Sequence, residues 1–195
     1  MKFKNLLFCL GLITFSSIAL ADNANTDQQM DMSKMMYFDF GAGIGGASGC
    51  NSGATTAINA MTMGGYFNNN LGIEAGMDAL PEGSNSAGQA MIMTYHLAAK
   101  GVLPLSEVFS LYGKAGLGIN QYEGEAPSNN GMAMVNQASF GLYYAGGMQF
   151  NFSKNIAIYL EGSGVGIPAW GNNGNANAGS FGSTYMGTLG LEVRI

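Results

Sequence analysis

Apolar and polar residues alternate along most of this chain with a period of two. The final stretch shows it most plainly: Leu189, Leu191, Val193 and Ile195 are interleaved with Thr188, Gly190, Glu192 and Arg194. Period two puts successive side chains on opposite faces of a β-strand. Eight segments carry this pattern, at roughly 35–45, 57–67, 71–80, 88–103, 108–121, 135–152, 156–167 and 181–195. None needs a helix. Glycines and β-formers recur throughout, and no 3.6-residue period competes.

The connections alternate in length. Asn68-Asn69-Asn70, Leu105-Ser106-Glu107 and Ser153-Lys154-Asn155 are tight turns. The segments 46–56, 81–87, 122–134 and 168–180 read as longer loops rich in Gly, Asn, Ser and Pro. With eight strands, the tight turns and both chain ends fall on one side and the four long loops on the other.

The two faces differ in chemistry as well as in hydropathy. One carries Phe38, Phe40, Ile44, Leu71, Ile73, Met91, Met93, Leu111, Leu117, Leu142, Phe150, Ile156, Ile158 and Leu160. The charges within strands, Asp39, Glu74, Asp78, Lys100, Lys114, Glu161, Glu192 and Arg194, all fall on the opposite face. A base on a lipid-facing surface at mid-bilayer costs about 2–4 kcal/mol. A strand that alternates to the chain's last residue also needs a partner for its edge. Together these features predict an all-β fold: an eight-stranded antiparallel transmembrane β-barrel, an up-and-down meander of the bacterial outer-membrane type. A secreted β-sandwich would bury two apolar faces, and the charged faces argue against that. Phe38, Phe67, Phe109 and Phe152 point outward near the tight turns and form a candidate aromatic girdle.

Composition adds an export route. Lysines in Met1–Asn5, the apolar run Leu6–Leu20 and the small-x-small site Ala19-Leu20-Ala21 predict a secretory signal peptide at 1–21, cleaved after Ala21. Residues 22–34 read as a polar periplasmic tail and 35–195 as the barrel. Cleavage leaves 174 residues with five bases against 12 acids, a net charge of −7, which argues against nucleic acid as a partner. Cys50 is then the sole cysteine and can make no internal disulfide. Beyond the leader no run of about 18 apolar residues offers a membrane helix, which leaves a barrel open.

Two hairpins carry a family resemblance. Lys100-Gly101-Val102-Leu103-Pro104-Leu105 with Phe109-Ser110-Leu111-Tyr112-Gly113-Lys114-Ala115-Gly116 is one. Tyr144-Ala145-Gly146-Gly147-Met148-Gln149-Phe150-Asn151-Phe152-Ser153-Lys154-Asn155 with Leu160-Glu161 is the other. They resemble the small outer-membrane β-barrel proteins, the opacity and outer-membrane-protein-A-like eight-stranded barrels. The resemblance implies a structural or surface-interaction role, adhesion-like, exerted through four extracellular loops, rather than an enzyme. It implies contact with outer-membrane lipid and lipopolysaccharide, and with the barrel-assembly machinery and periplasmic chaperones. A host or surface ligand would meet the loops. Gly190, Leu191, Val193 and Ile195 stand where the family carries its assembly signal, with Ile195 in place of the usual terminal Phe.

The charged face gives the candidate site. In a barrel of eight strands the interior is filled by side chains, so inward charges must pair. Asp39, Glu74, Asp78, Lys100, Lys114, Glu161, Glu192 and Arg194 are therefore read as a lumen charge network. A narrow channel for ions or small solutes is the alternative. A lipid-modifying outer-membrane enzyme is the third reading, acting through His96 with Ser110 or Ser139. His96 falls inward at mid-strand rather than at a rim, which favours a hydrogen-bonded lumen residue. One histidine without a nearby cysteine makes no zinc site, and the Gly-x-Gly repeats precede no helix, so no cofactor is expected. The 14 methionines read as lipid contact or core filling. Trp170 and Pro168 lie in the last long loop and identify no ligand.

Overall fold

The computed structural model describes residues 34–47, 55–85, 88–128, 131–166 and 183–195. Its strands are β1 (Met36–Ala47), β2 (Thr55–Tyr66), β3 (Leu71–Asn85), β4 (Gly88–Pro104), β5 (Phe109–Ser128), β6 (Gly131–Asn151), β7 (Ile156–Gly166) and β8 (Thr184–Arg194). Each pairs antiparallel with the next, and β8 returns to β1, so the sheet closes into a barrel. The seam runs from Tyr37↔Arg194 to Ala47↔Thr184 and is locked at its end by Met36 N–H to Ile195 O, 3.0 Å, and Ile195 N–H to Met36 O, 2.9 Å. The predicted signal peptide, the tail up to residue 33, Cys50, Pro168 and Trp170 lie outside the described residues.

Closure fixes which way each face points. Phe40, Ile44, Ile73, Leu97, Leu117, Phe140, Leu142, Leu160, Leu189 and Leu191 stand exposed around the outer wall. A surface this apolar suits lipid and would be untenable in water. At the tight-turn end Phe67 and Phe152 are exposed, and the rings of Phe109 and Phe150 meet with centroids 5.0 Å apart. The turns themselves are short: Phe67 N–H and Asn68 N–H reach Leu71 O, Leu105 and Ser106 reach Phe109 O, and Phe152 and Ser153 reach Ile156 O.

Two of the expected long loops are largely strand. The β5–β6 ladder continues to Ser128↔Gly131 and absorbs most of 122–134. The β3–β4 ladder continues past Pro81↔Met91 to Asn85↔Gly88 and absorbs most of 81–87. Cross-strand hydrogen bonds carry the pairing through residues whose own propensity favours turns. The connections 46–56 and 168–180 fall mostly outside the described residues.

β2 departs from strict alternation. Its register shifts between Asn59 and Met61 against both neighbours, so it holds one extra residue there. Uniform alternation from Met61 and Met63 would send Asn59 outward. The bulge turns it inward, where Asn59 Nδ2 donates to Thr62 Oγ1 at 3.3 Å.

Candidate functional site

The lumen is packed in layers. Nearest the tight turns, Tyr37, Tyr66, Tyr112, Tyr159 and Val102 form an apolar cluster. Lys100 reaches into it, its Nζ 4.2 Å from the Tyr37 ring centroid and 5.0 Å from that of Tyr112. The same ammonium lies 2.6 Å from Glu192 Oε2. Glu192 Oε1 accepts from Arg194 Nε at 2.5 Å and from Gln149 Nε2 at 2.7 Å, and Arg194 Nη2 donates to Asn151 Oδ1 at 2.7 Å. Alternate inward positions on β8 thus bring Glu192 and Arg194 together, two residues apart.

A second group centres on Lys114. Its Nζ is 2.7 Å from Glu161 Oε2, 2.9 Å from Glu74 Oε1 and 4.0 Å from Asp39 Oδ2. Tyr37 Oη donates to Glu74 Oε2 at 2.6 Å, and Tyr112 Oη to Glu161 Oε2 at 3.0 Å. His96 lies between Glu74 and Asp78, 3.5 Å from a carboxylate oxygen of each, and stacks on Tyr143 with centroids 4.0 Å apart. It also lies over Gly76, where an added Cβ would meet His96 Nε2 at 2.6 Å. Beyond this group Thr94 Oγ1 donates to Asn120 Oδ1 at 2.8 Å. Ala47, Ala57, Leu80, Ile92 and Met186 then form an apolar layer across the lumen at the far end.

All eight charged residues read from the sequence as lumen groups, and His96, are no more than 5% exposed. Two sets form: Lys100, Glu192 and Arg194 in one, Lys114, Glu74, Glu161 and Asp39 in the other. Asp78 is met by His96 rather than by a lysine. The hydroxyls of Tyr37 and Tyr112 and the amide of Gln149 add hydrogen bonds to Glu74, Glu161 and Glu192. The signal for them was their inward parity. The same parity also buries Thr94, Ser110, Asn120 and Thr188, which a reading confined to charges passes over.

The would-be catalytic set does not assemble. Ser110 pairs with Gln149, near the tight turns, whereas His96 pairs with Gly118 farther along β5, and Ser139 stands on β6 opposite Asn120. Of the terminal residues, Leu191 and Ile195 are exposed on the outer wall, Val193 is half-buried, and Gly190 faces inward opposite Gly41. Among the described residues no group of three or more His, Cys, Asp or Glu is arranged to hold a metal ion.

The family described as outer membrane protein beta-barrel domain matches residues 7–188. Comparison with the curated proteins gives no match. Among solved structures, Ail, the attachment invasion locus protein of Yersinia pestis, in complex with the heparin analogue sucrose octasulfate, superposes with TM-score 0.57 at 18% identity, covering 84% of this chain and 100% of that one. Neisserial surface protein A gives 0.60 at 12% identity, covering 85% of this chain and 99% of that one. The N-terminal β-barrel domain of Pseudomonas aeruginosa OprF gives 0.54 at 12% identity, covering 86% and 98%.

Proposed function

Because the chain belongs to the outer membrane protein beta-barrel family, and so is an integral protein of the bacterial outer membrane, we propose that it acts at the cell surface by contact, adhesion-like, through the end opposite its tight turns. The carrying observation is the height of the β5–β6 hairpin. β4 pairs with β5 as far as Ala90↔Gly124, and the β5–β6 ladder continues four pairs farther, from Glu125↔Met134 to Ser128↔Gly131. At about 3.3 Å per residue the hairpin rises roughly 13 Å above the last β4–β5 pair. Exposed features on a rigid scaffold are where such contacts are made. In this reading residues 1–21 direct export, the tight turns face the periplasm, and Gly190, Leu191, Val193 and Ile195 present the last strand to the assembly machinery.

Replacing residues 123–136 with a two-residue Asn-Gly turn tests it. The shortened barrel is expected to keep its heat-dependent gel shift and its place in the outer membrane while cells expressing it lose attachment to host cells or matrix. Unchanged attachment would refute the role of the hairpin.

The partner differs in charge from the one seen with Ail, whose bound ligand is a heparin analogue. No Lys or Arg occurs in 46–56, 81–87, 122–134 or 168–180; outside the leader the bases are Lys34 and Lys154 near the tight turns and the three in the lumen. A polyanion finds no cation at this end. The folded protein is expected to pass through a heparin column at physiological salt. Retention that weakens with added salt would contradict this.

A conducting lumen is the weaker reading. Paired charges, a tyrosine layer and an apolar layer fill the bore, and each would have to be displaced along with its partners. Catalysis is weaker again, since His96 is 5% exposed and apart from both serines.

A further inference from the structure

Glu74, Gly76 and Asp78 are successive inward positions on β3, and the middle one, Gly76, pairs directly with His96 on β4. His96 pairs in turn with Gly118 on β5. A glycine on each side leaves a slot for the imidazole. The ring lies over Gly76, where an added Cβ would stand 2.5 Å from its Cε1 and 2.6 Å from its Nε2. Thr62 of β2 borders the same glycine. The ring stacks on Tyr143 of β6, with the two planes 4° apart.

This seat aims each ring nitrogen at a different acid. Nε2 is 3.5 Å from Glu74 Oε1, and Nδ1 is 3.5 Å from Asp78 Oδ2. A neutral imidazole has one N–H and one bare nitrogen, and an ionised carboxylate can only accept. Whichever nitrogen were bare would therefore set its lone pair against a carboxylate oxygen. Hydrogens on both nitrogens make both contacts attractive.

The surrounding charges ask for the same thing. Among the described residues, His96 is the sole ion-pair partner of Asp78. Glu74 is shared with Lys114, whose Nζ lies 2.9 Å from the same Oε1. That ammonium also serves Glu161 of β7 and, at 4.0 Å, Asp39 of β1. The Tyr143 hydroxyl donates to Glu161 at 3.5 Å and brings no charge of its own. With His96 neutral, Asp39, Glu74, Asp78 and Glu161 would gather round one lysine, and excess charge in a closed interior is strongly unfavourable.

We propose that β3 and β4 build a proton-binding site at His96, in which the ring is held as an imidazolium that bridges Glu74 and Asp78. With Lys100, Lys114 and Arg194 it makes the fourth cation of the lumen. Gly76 is a positioning residue, because a side chain there would displace the ring.

His96 is the only histidine in the chain, so a single label reads the site. The test is nitrogen NMR of the untagged mature barrel, refolded in detergent and carrying isotope-labelled histidine. At about pH 8, where an unstructured histidine is neutral, both ring nitrogens of the folded barrel are expected to be coupled to a hydrogen, and urea unfolding should abolish that signature. A bare nitrogen in the folded barrel would overturn the proposal, whether the proton lies on Asp78 instead or is missing altogether. His96→Gln keeps a donor and an acceptor but cannot be charged. It should lower the temperature at which the compact form disappears in SDS by about 10 °C, and adding Asp78→Asn should recover at least half of that. No recovery would count against the proposal, since a neutral His96 strands no carboxylate when it is replaced. If the variants do not fold, the nitrogen spectrum of the parent barrel decides alone.

Discussion

Lys114→Met is expected to destabilise the folded barrel by about 3–5 kcal/mol, the scale seen when one partner of a buried ion pair is removed. Met preserves the length of the side chain and removes only the charge, so packing changes little. What is left is Glu161 and Glu74, which sit 2.7 and 2.9 Å from the missing ammonium, together with Asp39. Tyr112 and Tyr37 would still donate to the two glutamates, but hydroxyls cannot neutralise them. The measurement is the temperature at which the compact form disappears in unheated-to-heated SDS gel series. Adding Glu161→Gln to Lys114→Met should recover part of the loss, because one stranded carboxylate goes with it. A midpoint equal to that of the parent would mean that the lumen is hydrated enough to screen these charges.

Gly43→Ala is expected to be comparably damaging, at about 3 kcal/mol, and to lower the folded fraction on refolding into detergent. The cause is close approach of two strands at the seam. A Cβ at Gly43 would overlap the Gly187 carbonyl and stand 2.8 Å from Thr188 Cα, both main-chain atoms of β8 that cannot rotate away. Gly187 supplies the control on the same seam. A Cβ there meets nothing within 4 Å, since it points outward, and Gly187→Ala should change stability by no more than about 0.5 kcal/mol. Equal folded fractions for the two variants would show that β1 and β8 can separate at this point without cost.

The barrel was legible in the chain because its two solvents are so unlike. Lipid on one side and a charged lumen on the other write opposite demands onto successive residues, and Leu189 to Ile195 or Met91 to Lys100 can satisfy both only in one phase. Hairpin height was not legible. Pro127-Ser128-Asn129-Asn130-Gly131 has the composition of a loop, yet Pro127 sits opposite Met132 in a continuous ladder. Pairing between strands is a property of two segments, and neither reports it alone. The bulge near Ala60 escaped for a similar reason: a single extra residue reverses the parity of Asn59 without altering composition. Inward parity identified the charged residues of the lumen. It could not say that Lys100 would meet Glu192 while Lys114 bridges Glu74 and Glu161, because that depends on how strand stagger brings distant residues to one height.

The main-chain bonds between Met36 and Ile195 join residues 159 apart in sequence. Every other neighbouring pair of strands is adjacent along the chain, so seven ladders can form locally and the eighth must wait. Until the final strand arrives, β1 and whatever strand was added last each present a row of unsatisfied amides and carbonyls that any passing β-segment could capture. Closure is therefore an event in time as well as a feature of geometry. The interval before β8 docks on β1 is the period in which these two edges are most open to capture.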